Sequence, residues 1–116
     1  MDKSMSMFRI VKRVAFSDTD AMGVVHHSQY VRYFEEARVA WLRERNLISY
    51  HYPYSPVCFA VLESHCYHER SMRFDQEFEV CTVVRHEKIK IRFRYAIYVD
   101  GGQMRVATGE TLLLPV

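Results

Sequence analysis

From Ile89 to Val99 every second residue is apolar (Ile89, Ile91, Phe93, Tyr95, Ile97, Val99), with Lys88, Lys90, Arg92 and Arg94 between them. A two-residue period marks a strand with one face on a core and the other in water. Gln76–Arg85 alternates in the same way through Phe78, Val80, Thr82 and Val84. Asp100-Gly101-Gly102 supplies the turn chemistry for a hairpin into Gln103–Leu114. Phe8–Phe16 reads as a first strand, although Val11 breaks its alternation, and Val57–His68 contains a short apolar run. Between these two the period lengthens. Tyr30, Tyr33, Phe34, Ala37, Ala40 and Trp41 recur at three- and four-residue steps, opposite Arg32, Glu36, Arg43 and Glu44. This predicts an amphipathic helix over Gln29–Arg45, about five turns long, with Ser28 as its N-cap and Asn46 as its left-handed stop. Ser17–His27 is a loop bent at Gly23, and Ile48–Pro56 is a connection that can wall a pocket.

The order of elements, one strand, one long helix and then four strands, implies an α+β fold: a five-stranded antiparallel sheet wrapped around a single helix. One helix leaves part of the sheet uncovered, so self-association is expected. The 116 residues make a single domain. A formal charge of +2 without any Lys/Arg run argues against nucleic acid as a partner. No apolar run approaches the roughly 20 residues of a membrane span. Met1–Met7 is too short and polar for a secretory signal, which points to a cytoplasmic protein. Three cysteines without CxxC spacing read as reduced thiols, with Cys58 and Cys81 as core side chains. Strand alternation sends His65 to one face and Cys66 with His68 to the other, so no metal site is expected there.

Chemistry concentrates in Asp18–Tyr30, where a carboxylate, a glycine bend and a helix start fall within one short segment. Unpaired backbone N–H groups at a helix start can hold a developing oxyanion while a carboxylate acts on the same carbon, an arrangement suited to acyl transfer. Asp18 and Asp20 read equally well as solvated loop acids by spacing alone. Tyr30 fits either a pocket wall or the core, and Glu35 or Glu36 can hold water or substrate. The basic row Lys88–Arg94 is a solvated face neutralised by Glu77 and Glu79 or, alternatively, a phosphate site; Arg70 and Arg73 are further candidates for that role.

The run DTDAMGVVHHSQYVRYFEEAR, Asp18 to Arg38, resembles the signature of the 4-hydroxybenzoyl-CoA thioesterase branch of the hotdog superfamily, which includes the Tol-Pal-associated acyl-CoA thioesterases. The matching features are the D-x-D loop, the G-V-V turn, the H-x-x-Y that follows and the helical E-x-A-R. Looser agreement extends through Arg73-Phe74-Asp75. The resemblance implies an acyl-CoA thioesterase with Asp20 as nucleophile or general base and the backbone N–H at or next to His27 as oxyanion donor. Gly23, Val25, His26, Tyr30, Glu35 and Arg73 would contact the substrate. The resemblance also implies a dimer or a dimer of dimers with its clefts between subunits, and no cofactor, coenzyme A being part of the substrate. The chain departs from the family pattern at His68 and at Ser71-Met72, which leaves the acyl group unspecified. Rival readings are a hotdog enoyl-CoA hydratase using an Asp–His pair, an acyl-carrier-protein thioesterase and a non-catalytic acyl-binding module.

Overall fold

The computed structural model describes residues 7–49 and 58–116. Strand β1 (Phe8–Arg13) leads through a single 3-10 turn (Phe16–Asp18) and the Thr19–His27 loop into helix α1 (Ser28–Glu44). Strands β2 (Phe59–His68), β3 (Glu77–Glu87), β4 (Lys90–Val99) and β5 (Met104–Pro115) follow. All pairings are antiparallel and the sheet order is β1-β3-β4-β5-β2, which leaves β1 and β2 at the edges. This is the sheet-on-helix architecture of a hotdog fold.

The alternation in β4 fixes which face meets the helix. Ile91, Phe93, Tyr95, Ile97 and Val99 are buried, while Arg94 is exposed. From α1 the stripe Tyr30, Tyr33, Phe34, Ala37 and Leu42 turns inward. Phe34 stacks on Tyr95 with ring centres 4.7 Å apart, Trp41 meets Phe93 edge-on at 5.3 Å, and Tyr33 lies 4.6 Å from Phe78. Burying each of these large side chains contributes roughly 1.5–3 kcal/mol, so the helix is held mainly by its aromatic face. The helix comes this close only because Gly109 lies beneath Phe34. A Cβ there would fall 2.4 Å from Phe34 Cε2 and 2.8 Å from the His65 carbonyl oxygen.

Several boundaries differ from the sequence expectation for local reasons. Strand β1 ends at Arg13, because the chain turns into a 3-10 turn that leaves Phe16 75% exposed. Ile89 belongs to the two-residue β3–β4 turn, where Lys88 has φ 60°, and it is 73% exposed despite continuing the apolar period. Asn46 does take the left-handed stop, with φ 59°. Much of the predicted Ile48–Pro56 connection, and Val57 at the start of the predicted second strand, lie outside the described residues.

The salt pairs of the basic row also differ. Glu77 and Glu79 face Arg13 and Arg9 on β1, at 3.4 and 3.3 Å. Arg94 instead meets Glu110, its register partner on β5, at 3.0 Å. Arg92 is held by Glu87 and Glu110. Register is the cause: on β3 the partners of Arg94 and Arg92 are Val83 and Arg85, while Glu79 lies opposite Tyr98. Among the described residues, no helix is long and apolar enough to cross a membrane.

Candidate active site

The Asp18–His27 loop is tied down by its two carboxylates in different ways. Asp18 is 6% exposed. Its Oδ2 accepts the Ala15 N–H at 3.1 Å and the Tyr33 hydroxyl at 2.8 Å, and its Oδ1 accepts the Arg32 guanidinium at 2.6 Å. Arg32 continues to Glu36 at 2.6 Å, and Glu36 in turn pairs with Lys12 of β1. Sequence spacing does not mark Arg32 and Tyr33 as loop anchors, because helical periodicity already accounts for both, one on the wet face and the other on the apolar stripe. Burial and then the Asp18 carboxylate raise the Tyr33 hydroxyl well above the ordinary tyrosine range, so it donates at every physiological pH.

Asp20 is half-buried and forms an Asx-type turn. Its Oδ1 accepts the Met22 and Val24 N–H groups at 2.8 and 3.4 Å, and its backbone pairs with Val24 and Gly23 at 2.9 Å each. Oδ2 has no hydrogen bond among the described residues. Gly23, with φ 80°, makes the bend. Val25 is buried and donates its N–H to the Met72 carbonyl at 2.8 Å, while Val24 bridges to Arg73. The loop is therefore sandwiched between α1 and the β2–β3 connection.

The helix begins one residue earlier than predicted. Ser28 is its first residue and not an N-cap, and His27 before it already has helical φ and ψ of −55° and −29°. The His26 ring does the capping: its Nδ1 accepts the Ser28 N–H at 3.2 Å and lies 2.8 Å from the Ser28 hydroxyl. Gln29 and Tyr30 donate backward to the carbonyls of His26 and His27, and the His26 N–H goes to the Asp18 carbonyl at 3.0 Å. From Val24 to Tyr30 the one backbone N–H without an acceptor among the described residues is that of His27.

A shallow cleft of about 270 Å³ opens there, lined by Val25, His27, Tyr30, His68, Glu69, Arg70 and Ser71. His68 packs edge-on against Tyr30 at 4.9 Å and lies 6.4 Å from the His27 ring. Its Nε2 is 3.5 Å from Cys66 Sγ. Tyr30 is 3% exposed, and burial raises its hydroxyl pKa against the pull of a backbone hydrogen bond at Met72. It serves as core and as cleft floor at once.

Val25, His27 and Tyr30 thus meet at one cleft, whereas Asp20, Gly23 and His26 adjoin it without lining it. Arg73 extends beside Gly23, its Nη1 3.9 Å from the position of a Cβ on that glycine. Glu35 is two turns further along α1. Its carboxylate is 61% exposed, 3.8 Å from Arg38, and borders separate grooves on the helix's distal half. No hydrogen bond links an imidazole to Asp18 or Asp20 among the described residues. Nor is there any group of three or more His, Cys, Asp or Glu side chains arranged to hold a metal ion among them.

Comparison with known proteins places this arrangement in a family. Residues 14–116 match the thioesterase-like superfamily. A protein of Aquifex aeolicus that carries an esterase name is 40% identical over 105 residues, spanning 86% of this chain and 77% of its own. The acyl-CoA thioester hydrolase YbgC of Escherichia coli is 33% identical over 79 residues, covering 68% of this chain and 59% of the relative. Slr0204, a 1,4-dihydroxy-2-naphthoyl-CoA thioesterase from Synechocystis, superposes with a TM-score of 0.87 over 96% of this chain and 82% of its own, at 17% identity that speaks for the fold alone. With the family matched over nearly all of its length, the chain belongs to the thioesterase-like superfamily and takes the hotdog fold.

Proposed function

We propose that the protein hydrolyses acyl-CoA thioesters to a free acid and coenzyme A in a cytoplasmic setting, with Asp20 and the His27 backbone N–H as its working pair. The observation that carries this reading is the open His27 N–H at the positive end of α1. A carbonyl oxygen docked on it gains negative charge as the tetrahedral intermediate forms, and a donor already in place lowers that barrier without reorganising.

Asp20 supplies the other half of the reaction. Two backbone N–H groups fix Oδ1 and leave Oδ2 available. Oδ2 then acts on the carbonyl carbon to give a mixed anhydride, or takes a proton from an attacking water. A thiolate leaves readily because its conjugate acid has a pKa of about 8.5, so a second acid is not required. Asp18 is fully engaged in anchoring and stays out of the chemistry. Hydration of a double bond is less well served, because neither carboxylate is bonded to an imidazole.

Because Asp20 adjoins the cleft without lining it, the substrate channel is completed by a second copy of the chain. Support comes from β2, an edge strand that exposes Val61, Leu62 and Tyr67. Asp20→Asn is expected to fold normally and lose about a hundredfold or more of its turnover in a thiol-release assay on acyl-CoA. Near-normal turnover by the folded variant would remove Asp20 from the mechanism.

A further inference from the structure

Most cations around the sheet are already neutralised. Arg9 pairs with Glu79, Arg13 with Glu77, and Arg92 and Arg94 with Glu110. Arg70 and Arg73 are different. Neither guanidinium has an ion pair or hydrogen bond among the described residues, and both are exposed. The acids nearest to them in sequence are committed elsewhere: Glu69 takes Arg105 through both oxygens at 2.7 and 3.2 Å, and Asp75 faces Arg13 at 3.8 Å.

Position makes the surplus charge informative. Both arginines belong to the β2–β3 connection, which runs against the acidic loop through the Val24–Arg73 bridge and the Val25–Met72 hydrogen bond. Arg70 lines the cleft beside His27, and Arg73 reaches past Gly23. The Arg73 backbone N–H is held by Gln76 Oε1 at 3.0 Å, which fixes the base of that side chain while its head stays uncommitted. Other cations without an ion pair, Arg43, Arg85, Lys88 and Lys90 among them, lie on α1, on β3 and β4 and at the turn between those strands, and none is on the connection that runs against the acidic loop. One uncompensated guanidinium at the cleft and a second beside the acidic loop, both on the same connection, suit phosphate oxygens, which such forks bind through paired N–H groups.

We propose that Arg70 and Arg73 clamp the phosphates of the coenzyme A portion of the substrate, and that Arg92 and Arg94 of β4, already paired with acids, take no part. This rests on the acyl-CoA reading above and names the residues that hold the substrate's non-reacting end. The test is calorimetric titration with coenzyme A and, in parallel, with pantetheine, which has no phosphate. Coenzyme A should bind the Arg70→Ala/Arg73→Ala protein about tenfold more weakly than the parent, with pantetheine indifferent and Arg94→Ala matching the parent. Added salt should erode the parent's advantage. The clamp is refuted by a double variant that binds coenzyme A like the parent, by a parent that binds coenzyme A no better than pantetheine, or by an equal loss in Arg94→Ala. Hydrolysis of an S-acyl-pantetheine by the parent is scored separately. Turnover without arginine-dependent coenzyme A binding removes only the clamp. Arginine-dependent binding without any thioester hydrolysis removes only the hydrolase reading.

Discussion

Asp18 and Asp20 are the same residue type two positions apart, yet their surroundings assign them opposite work. Asp18 satisfies a buried tyrosine hydroxyl, a backbone N–H and an arginine at once, so removing it strands the Tyr33 hydroxyl in the interior and takes the acceptor from two part-buried donors. Asp18→Ala should therefore destabilise the protein by about 2–4 kcal/mol, discounted from a fully buried pair because Arg32 is 42% exposed. Tyr33→Phe removes only one of these bonds and leaves Asp18 two partners, so about 1 kcal/mol is expected. Urea unfolding of both variants checks the ordering, and a smaller loss for Asp18→Ala than for Tyr33→Phe would contradict the anchoring role. Nothing in the D-x-D spacing tells the two acids apart. The distinction comes from α1, whose Arg32 and Tyr33 arrive fourteen and fifteen residues later to claim Asp18 alone.

Among the elements, α1 and β4 were the most legible, because each carries its own periodicity and needs no partner to reveal it. The Asn46 stop was legible for the same reason, a local φ preference. Features fixed by contact between distant segments were not. Capping by the His26 ring in place of Ser28, the Arg94–Glu110 pair and the turn position of Ile89 all follow from how strands and loops meet. Gly109 belongs to this group: it lies within β5 with no turn signal, and its purpose is visible only once Phe34 lies above it. Gly109→Ala should cost about 3 kcal/mol, since one obstructing atom belongs to the β2 backbone and the ring is stacked on Tyr95. Gly109→Ala in a Phe34→Leu background should cost less, the ring clash being gone. Chemical denaturation measures both, and a Gly109→Ala protein as stable as the parent would show that the helix is free to lift off the sheet.

For the molecule as a whole, the unresolved balance is between a sheet with one helix and an edge strand that keeps apolar side chains in water. In β2, Val61 is 54% exposed, Leu62 45% and Tyr67 63%, while the opposite edge, β1, exposes one large apolar side chain, Val11 at 57%, between Arg9 and Arg13. Charged edges resist strand addition and apolar ones invite it, so a second copy should dock at β2 and not at β1. The same docking would bring a partner surface to His68 and Arg70 at the chain end of β2, next to the open His27 N–H. Assembly and activity are then coupled through one strand. Val61→Lys with Tyr67→Arg should shift sedimentation from dimer or tetramer toward monomer and lower thioester turnover about a hundredfold, since an unsupported channel no longer positions the substrate. A single charge placed on β1, Val11→Lys, should change neither quantity, whereas Val61→Lys alone should move both in the direction of the double variant. A parent that sediments as a monomer at assay concentration while turning over thioesters at full rate would separate the two properties and leave the cleft of a single chain sufficient for catalysis.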